Sequence, residues 1–107
     1  MALTIDIIQG DIHVTLQLSG DVDTKTAPEL LSKLTALELQ SLEQLRLNLQ
    51  EVGFVSSAGL RAIVFAKQKM PHTSSLYLVG ASEQIVDTIT KTGLSQAVLI
   101  VNSESDI

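Results

Sequence analysis

Two adjacent hydroxyls, Ser56 and Ser57, stand where this chain can most readily place chemistry. Before them, Leu45-Arg46-Leu47-Asn48-Leu49-Gln50 alternates apolar and polar residues with the period of a strand. After them, Leu60, Ile63, Val64 and Met70, with Ala62, Phe65 and Ala66 between, have the spacing of a well-buried helix. The serines therefore sit at a helix start, where the first backbone N–H groups lack partners and the helix dipole favours negative charge. Either one can cap the helix, since serine is among the best N-cap residues. A hydroxyl there can also carry a phosphate, which that position tolerates. Two carboxylates, Asp21 and Asp23, belong to another polar corner, Ser19-Gly20-Asp21-Val22-Asp23-Thr24. They can bond their own backbone as turn and cap residues, or face a ligand.

Hydrolase chemistry lacks its parts. Gly53-Phe54-Val55-Ser56-Ser57-Ala58-Gly59 has the outline of a nucleophile elbow, but valine holds position 55 where that motif requires glycine. His13 falls mid-strand on the polar face and His72 follows the helix at the end opposite Ser57, so neither is expected to serve as its base. Two separated histidines and scattered carboxylates make no metal coordination set. No GxxxxGK[ST] or GxGxxG loop cradles a phosphate. The expectation is no enzyme, no cofactor and no metal.

The elements that hold these residues follow from periodicity. Leu3, Ile5 and Ile7, then a turn at Gln9-Gly10-Asp11, then Ile12, Val14, Leu16 and Leu18 predict an antiparallel hairpin. Ala27, Leu30, Leu31, Leu34 and Leu37 predict a helix face, with Pro28 in its first turn. Thr26 with Glu29 can form a capping box there, and Asp23 and Thr24 are rival caps. A strand over Leu45 to Leu49 leads to the serine turn and a second helix, which Met70-Pro71 ends. Leu76-Tyr77-Leu78-Val79 is a buried strand, and Ser82 caps a third helix that turns Ile85, Val86 and Ile89 inward. Gly93 stops that helix with Leu94 folding back, and Val98 to Val101 is a last buried strand.

The order ββαβαβαβ predicts one α/β domain over 1–101, with a mixed, mostly parallel sheet and helices packed on it, and a polar tail over 102–107. Parallel strands send their following loops to one edge of the sheet. Residues 20–24, 51–57 and 80–82 should therefore be neighbours.

With 107 residues the chain can bury a core unaided, and it has no cysteine. Seven basic against twelve acidic residues give a net charge of −5, with three aromatic residues. That balance disfavours nucleic acid and an acidic membrane surface, and suits a partner with basic residues. Met1-Ala2-Leu3-Thr4 has neither a basic stretch nor an apolar run, and no apolar segment reaches membrane-spanning length. A cytoplasmic domain is expected.

Three segments resemble the STAS domain of bacterial anti-sigma factor antagonists, over Leu3 to about Val101. Leu18-Ser19-Gly20-Asp21-Val22-Asp23 is similar to the family's strand-end GxxD segment, and Thr92-Gly93-Leu94 to its TGL before the last strand. Val52-Gly53-Phe54-Val55-Ser56-Ser57-Ala58-Gly59-Leu60 resembles the signature V-x-F-[IVM]-D-S-S-G-L. The resemblance implies that Ser57 matches the phosphorylated serine, with Ser56 as an alternative, and Asp23 the strand-end aspartate. Ser56 replaces the family's usual aspartate and Ala58 its second serine. The implied docking surface comprises Asp21, Asp23, Thr24, Val55, Ser56, Ser57, Ala58, Gly59 and Arg61. The implied role is partner switching: binding to an anti-sigma factor of the serine kinase type, release by phosphorylation, and restoration by a serine phosphatase. The alternatives are a STAS scaffold in a signalling or lipid-transport complex, and small-molecule binding at the same edge.

Overall fold

Alternating residues build a five-stranded sheet in the order in which the chain supplies them. The strands are β1 (Thr4–Gln9), β2 (His13–Ser19), β3 (Gln44–Glu51), β4 (Ser75–Val79) and β5 (Leu99–Val101), side by side in that sequence. β1 pairs antiparallel with β2, and every other neighbour pair is parallel. Helices α1 (Ala27–Thr35), α2 (Ser57–Lys69) and α3 (Glu83–Lys91) make the three crossovers. This is the expected ββαβαβαβ order. The computed structural model describes residues 3–10, 12–96 and 98–107; Asp11, at the tip of the expected first turn, and Met1 and Ala2 lie outside them.

The register explains why these parallel strands alternate instead of being apolar throughout. Val14, Leu45 and Leu76 share one row and Leu16, Leu47 and Leu78 another, all on one face and at most 1% exposed. There they join Leu30 and Leu34 of α1, Leu60 and Ile63 of α2 and Ile85 and Ile89 of α3 in a single core. Each such side chain contributes about 1.5–3 kcal/mol by leaving water. The opposite face carries Thr15, Gln17, Arg46, Asn48 and Tyr77. One covered face needs one apolar set.

Three local expectations need correction. Leu31 is not a core residue but lies 37% exposed, because Ala27, Leu30 and Leu34 already aim α1 at the sheet and Leu31 falls on its flank. The last strand is not buried: Val98 is, but Leu99 and Ile100 are 48% and 37% exposed, because β5 is a sheet edge. His13 opens β2 instead of lying mid-strand, with its ring packed over Gly10. The end of α3 is as expected, with Gly93 at φ +80° and Leu94 buried beyond it. Ser82 caps its start, accepting from the Ile85 N–H at 3.3 Å.

Candidate functional site

The loops after β2 and β3 leave the sheet together and stay paired. The Gly20 N–H donates to the Glu51 carbonyl at 3.1 Å, the Val22 N–H to Phe54 at 2.8 Å, and the Ser56 N–H to Val22 at 2.7 Å. A parallel bridge joins Val22 to Val55. The pairing shifts along the way: Gln17 faces Asn48 but Ser19 faces Glu51, so β3 spends one extra residue there. The loop after β4 completes the edge, with a Cβ on Gly80 landing on the Gln50 side chain.

Gly59 sets how closely α2 approaches this pair of loops. A Cβ at that position would lie 2.6 Å from Val22 Cγ1 and 2.9 Å from Val55 Cγ1. Both valines are buried and stiff at χ1, so neither can easily give way. Glycine here is a spacing requirement, and it holds residues 20–24 against the start of α2.

The two serines, equivalent in the sequence, differ in the structure. Ser56 is the N-cap: its backbone is extended (φ −78°, ψ 171°) and its Oγ accepts from the Gly59 N–H at 3.2 Å. Ser57 is the first helical residue, exposed, with no hydrogen bond to its hydroxyl among the described residues. The first turn of α2 holds no acidic residue to neutralise the dipole.

Asp23 organises the neighbouring loop. Its Oδ1 accepts from the backbone N–H groups of Lys25 and Thr26, both at 2.9 Å, while Thr26 Oγ1 accepts from the Asp23 N–H at 2.9 Å. The Thr26 hydroxyl donates in turn to the Asp21 carbonyl at 2.8 Å and to Asp23 Oδ1 at 3.1 Å. This is a capping box one turn earlier than Thr26–Glu29 would have placed it. Thr26 makes no side-chain cap bond of its own to the helix. The Thr26 backbone N–H, ahead of its hydroxyl and the Lys25 N–H, holds the Asp23 carboxyl below its usual 3.8 against a smaller opposing effect of burial.

The expected docking residues divide by exposure. Thr24, Ser57 and Arg61 are exposed, while Asp21, Asp23, Ser56 and Ala58 are partly so. Val55 and Gly59 are buried, so they shape the surface without presenting it. Two apolar residues join the exposed set that sequence reasoning did not assign there: Phe54, 47% exposed beside Val22, and Leu31. For Phe54 the signal was an apolar side chain at a loop end, outside any helix stripe; Leu31 lies within the stripe of α1 and gave none. Grooves flank α2 on both sides. One of about 390 Å³ runs against α1, with Thr24, Leu31, Ala58 and Arg61 in its lining. The other, of about 490 Å³, runs from Ser57 past Arg61 to Thr92, Gly93 and Leu94. His72 lies beyond the far end of α2, about 20 Å along its thirteen residues.

Two of the three segments that resembled a known family, 18–23 and 52–60, thus meet at the start of α2, and the third, Thr92-Gly93-Leu94, lines the groove along its side. The profile of the STAS domain family matches residues 3–107. The chain belongs to the STAS domain family. An anti-sigma-B factor antagonist of Listeria monocytogenes is 31% identical over 109 residues, covering all of this chain and 96% of that protein. Among solved structures, an anti-sigma factor antagonist from Mycobacterium paratuberculosis matches with a TM-score of 0.87 at 24% identity, over 98% of this chain and 90% of that one. The Bacillus cell fate determinant SpoIIAA, in its phosphorylated form, matches with a TM-score of 0.71 at 14% identity, over 96% and 95%. At those identities the two structures speak for the shared STAS fold. Among the described residues, no helix of the domain is long and apolar enough to cross a membrane.

Proposed function

We propose that this STAS domain is an anti-sigma factor antagonist, a binding module and not an enzyme, acting in the cytoplasm as a partner switch controlled at Ser57. Unmodified, it docks through the start of α2 and the loop over 20–24 onto an anti-sigma factor that is also a serine kinase. That partner transfers the γ-phosphoryl group of ATP to Ser57 Oγ; the new O–P bond replaces the bond to ADP, and the hydroxyl proton departs. A serine phosphatase reverses the change.

The observation that carries this reading is the division of labour between the serines. Ser56 is spent on the cap, and Ser57 is exposed with its hydroxyl unbonded among the described residues. The similarity to an anti-sigma-B factor antagonist along the whole chain points the same way. A phosphate brings about −1.5 to −2 charges to the contact. Like charges brought together at an interface cost several kcal/mol, and about 3 kcal/mol weakens binding more than a hundredfold. The free helix start meanwhile accommodates the phosphate without unfolding.

Incubation with the kinase-type partner and Mg-ATP, followed by mass spectrometric mapping, should find one phosphate, on Ser57, and lose it in Ser57→Ala but not Ser56→Ala. Titration calorimetry should then show binding to the partner fall more than a hundredfold on modification, with Ser57→Asp weakened in the same direction. Absence of phosphate on both serines, or equal binding by the modified protein, would leave a permanent scaffold as the better account.

A further inference from the structure

We infer that Arg61 is the internal counter-ion of a phosphate on Ser57, so that modification withdraws a positive charge from the docking surface while adding negative ones. The inference rests on the reading of Ser57 as the modified residue. It comes from a pair of side chains and not from the helix start alone.

Ser57 and Arg61 are four residues apart on α2, which stacks them on one helix face one turn apart, with Cβ atoms about 5–6 Å from each other. Both line the groove of about 490 Å³. Arg61 is exposed and makes no ion pair or hydrogen bond among the described residues. It is also the one charged side chain lining either groove beside α2 among those residues. α2 has no acid in its first turn, and the Oδ1 of Asp23 in the adjoining loop is engaged by Lys25 and Thr26.

A guanidinium presents a planar fork of donors that fits two phosphate oxygens at once. Free, Arg61 offers that fork to a partner's carboxylate. Once Ser57 carries a phosphate, the fork turns one helical turn back onto it. The local charge passes from about +1 to about −1, and the donor that a partner would have used is already taken.

The test needs no kinase, because phosphoserine can be encoded at position 57 and its phosphate titrated by phosphorus NMR. A nearby cation favours the dianion, so Arg61→Gln should raise the second phosphate pKa by about 0.3 of a pH unit, the scale of an exposed ion pair four residues apart on a helix. Arg61→Lys should keep most of the charge effect, and added salt should shrink the gap between the parent and Arg61→Gln. An identical titration in the parent and Arg61→Gln overturns the inference. So does a shift that appears with Lys25→Gln instead, which would make the loop lysine the counter-ion. Should Ser57 prove untouched by the kinase while Arg61→Gln still shifts the encoded phosphate, the switch reading fails and the Arg61 contact stands.

Discussion

Two helix starts sit side by side at the carboxyl edge of this sheet, and they are finished differently. At α1, Asp23 and Thr26 exchange reciprocal side-chain to backbone bonds, and the Thr26 hydroxyl reaches on to the Asp21 carbonyl. The backbone N–H groups of Asp23, Lys25, Thr26 and Ala27 all find acceptors within that corner. At α2, one bond from Gly59 to Ser56 closes the cap, and the next hydroxyl, on Ser57, is left over. A sealed start contributes to stability and is poor ground for a switch, because any modification there must first break bonds. The open start leaves a hydroxyl that bonds nothing among the described residues.

That contrast is most severely tested where the two starts press together. Gly59→Ala should destabilise the domain by about 1–2 kcal/mol: alanine gains up to about 1 kcal/mol of helix propensity, but overpacking against two stiff valines, Val22 and Val55, costs about 2–3 kcal/mol, the upper part of the usual range. Urea unfolding would show a lower midpoint at unchanged slope. Adding Val22→Ala, which removes the methyl group met first, should recover part of the loss in a double-mutant cycle. A neutral Gly59→Ala would mean that α2 does not lie so close.

Within the sealed start, Thr26→Val keeps the shape and removes the hydroxyl. It strands the Asp23 N–H and the Asp21 carbonyl near a buried side chain, at about 1–2 kcal/mol. Asp23 adds a pH signature of known sign. Its folded pKa lies below 3.8, so its contribution is fully present above that value and is lost as pH falls through the lower folded value. Asp23→Asn should therefore be less stable than the parent at neutral pH, and the difference in urea midpoint should close in acid. A gap that stays constant down to about pH 2 would contradict the charged cap.

Much of this was legible in the chain. Period-two runs located β2 and β3, a short apolar run located β4, Ser82 and Gly93 marked the ends of α3, and the parallel order alone put residues 20–24 beside Ser56 and Ser57. What escaped was set by tertiary context. Leu31 fits the helix stripe as well as Leu30 does, and only the direction from which the sheet approaches α1 separates them. Leu99 and Ile100 read as buried because composition cannot tell an edge strand from a central one. Asp23 and Thr26 both satisfy capping rules, and the outcome turned on which could close a reciprocal pair. The same ambiguity covered Ser56 and Ser57 until backbone angles made one the cap.

At the open start the effects shrink. Ser56→Ala removes a single cap bond and should cost about 1 kcal/mol, readable as a modest fall in Tm, with Ser56→Gly cheaper still. Its size relative to Thr26→Val measures how unequal the two starts are. Equal losses would erase the distinction between them.

Ser57→Ala should change stability least, by less than about 0.5 kcal/mol, because the side chain is exposed and its hydroxyl bonds nothing among the described residues. Alanine also propagates a helix slightly better than serine, so the sign can favour the variant. Calorimetric melting of the parent, Ser56→Ala and Ser57→Ala side by side decides the matter. If Ser57→Ala melts lower than Ser56→Ala, Ser57 is the working cap and its hydroxyl is not free for modification. If it melts with the parent, the fold gains nothing from a hydroxyl at position 57, and the reason for a serine there lies in what can be attached to it.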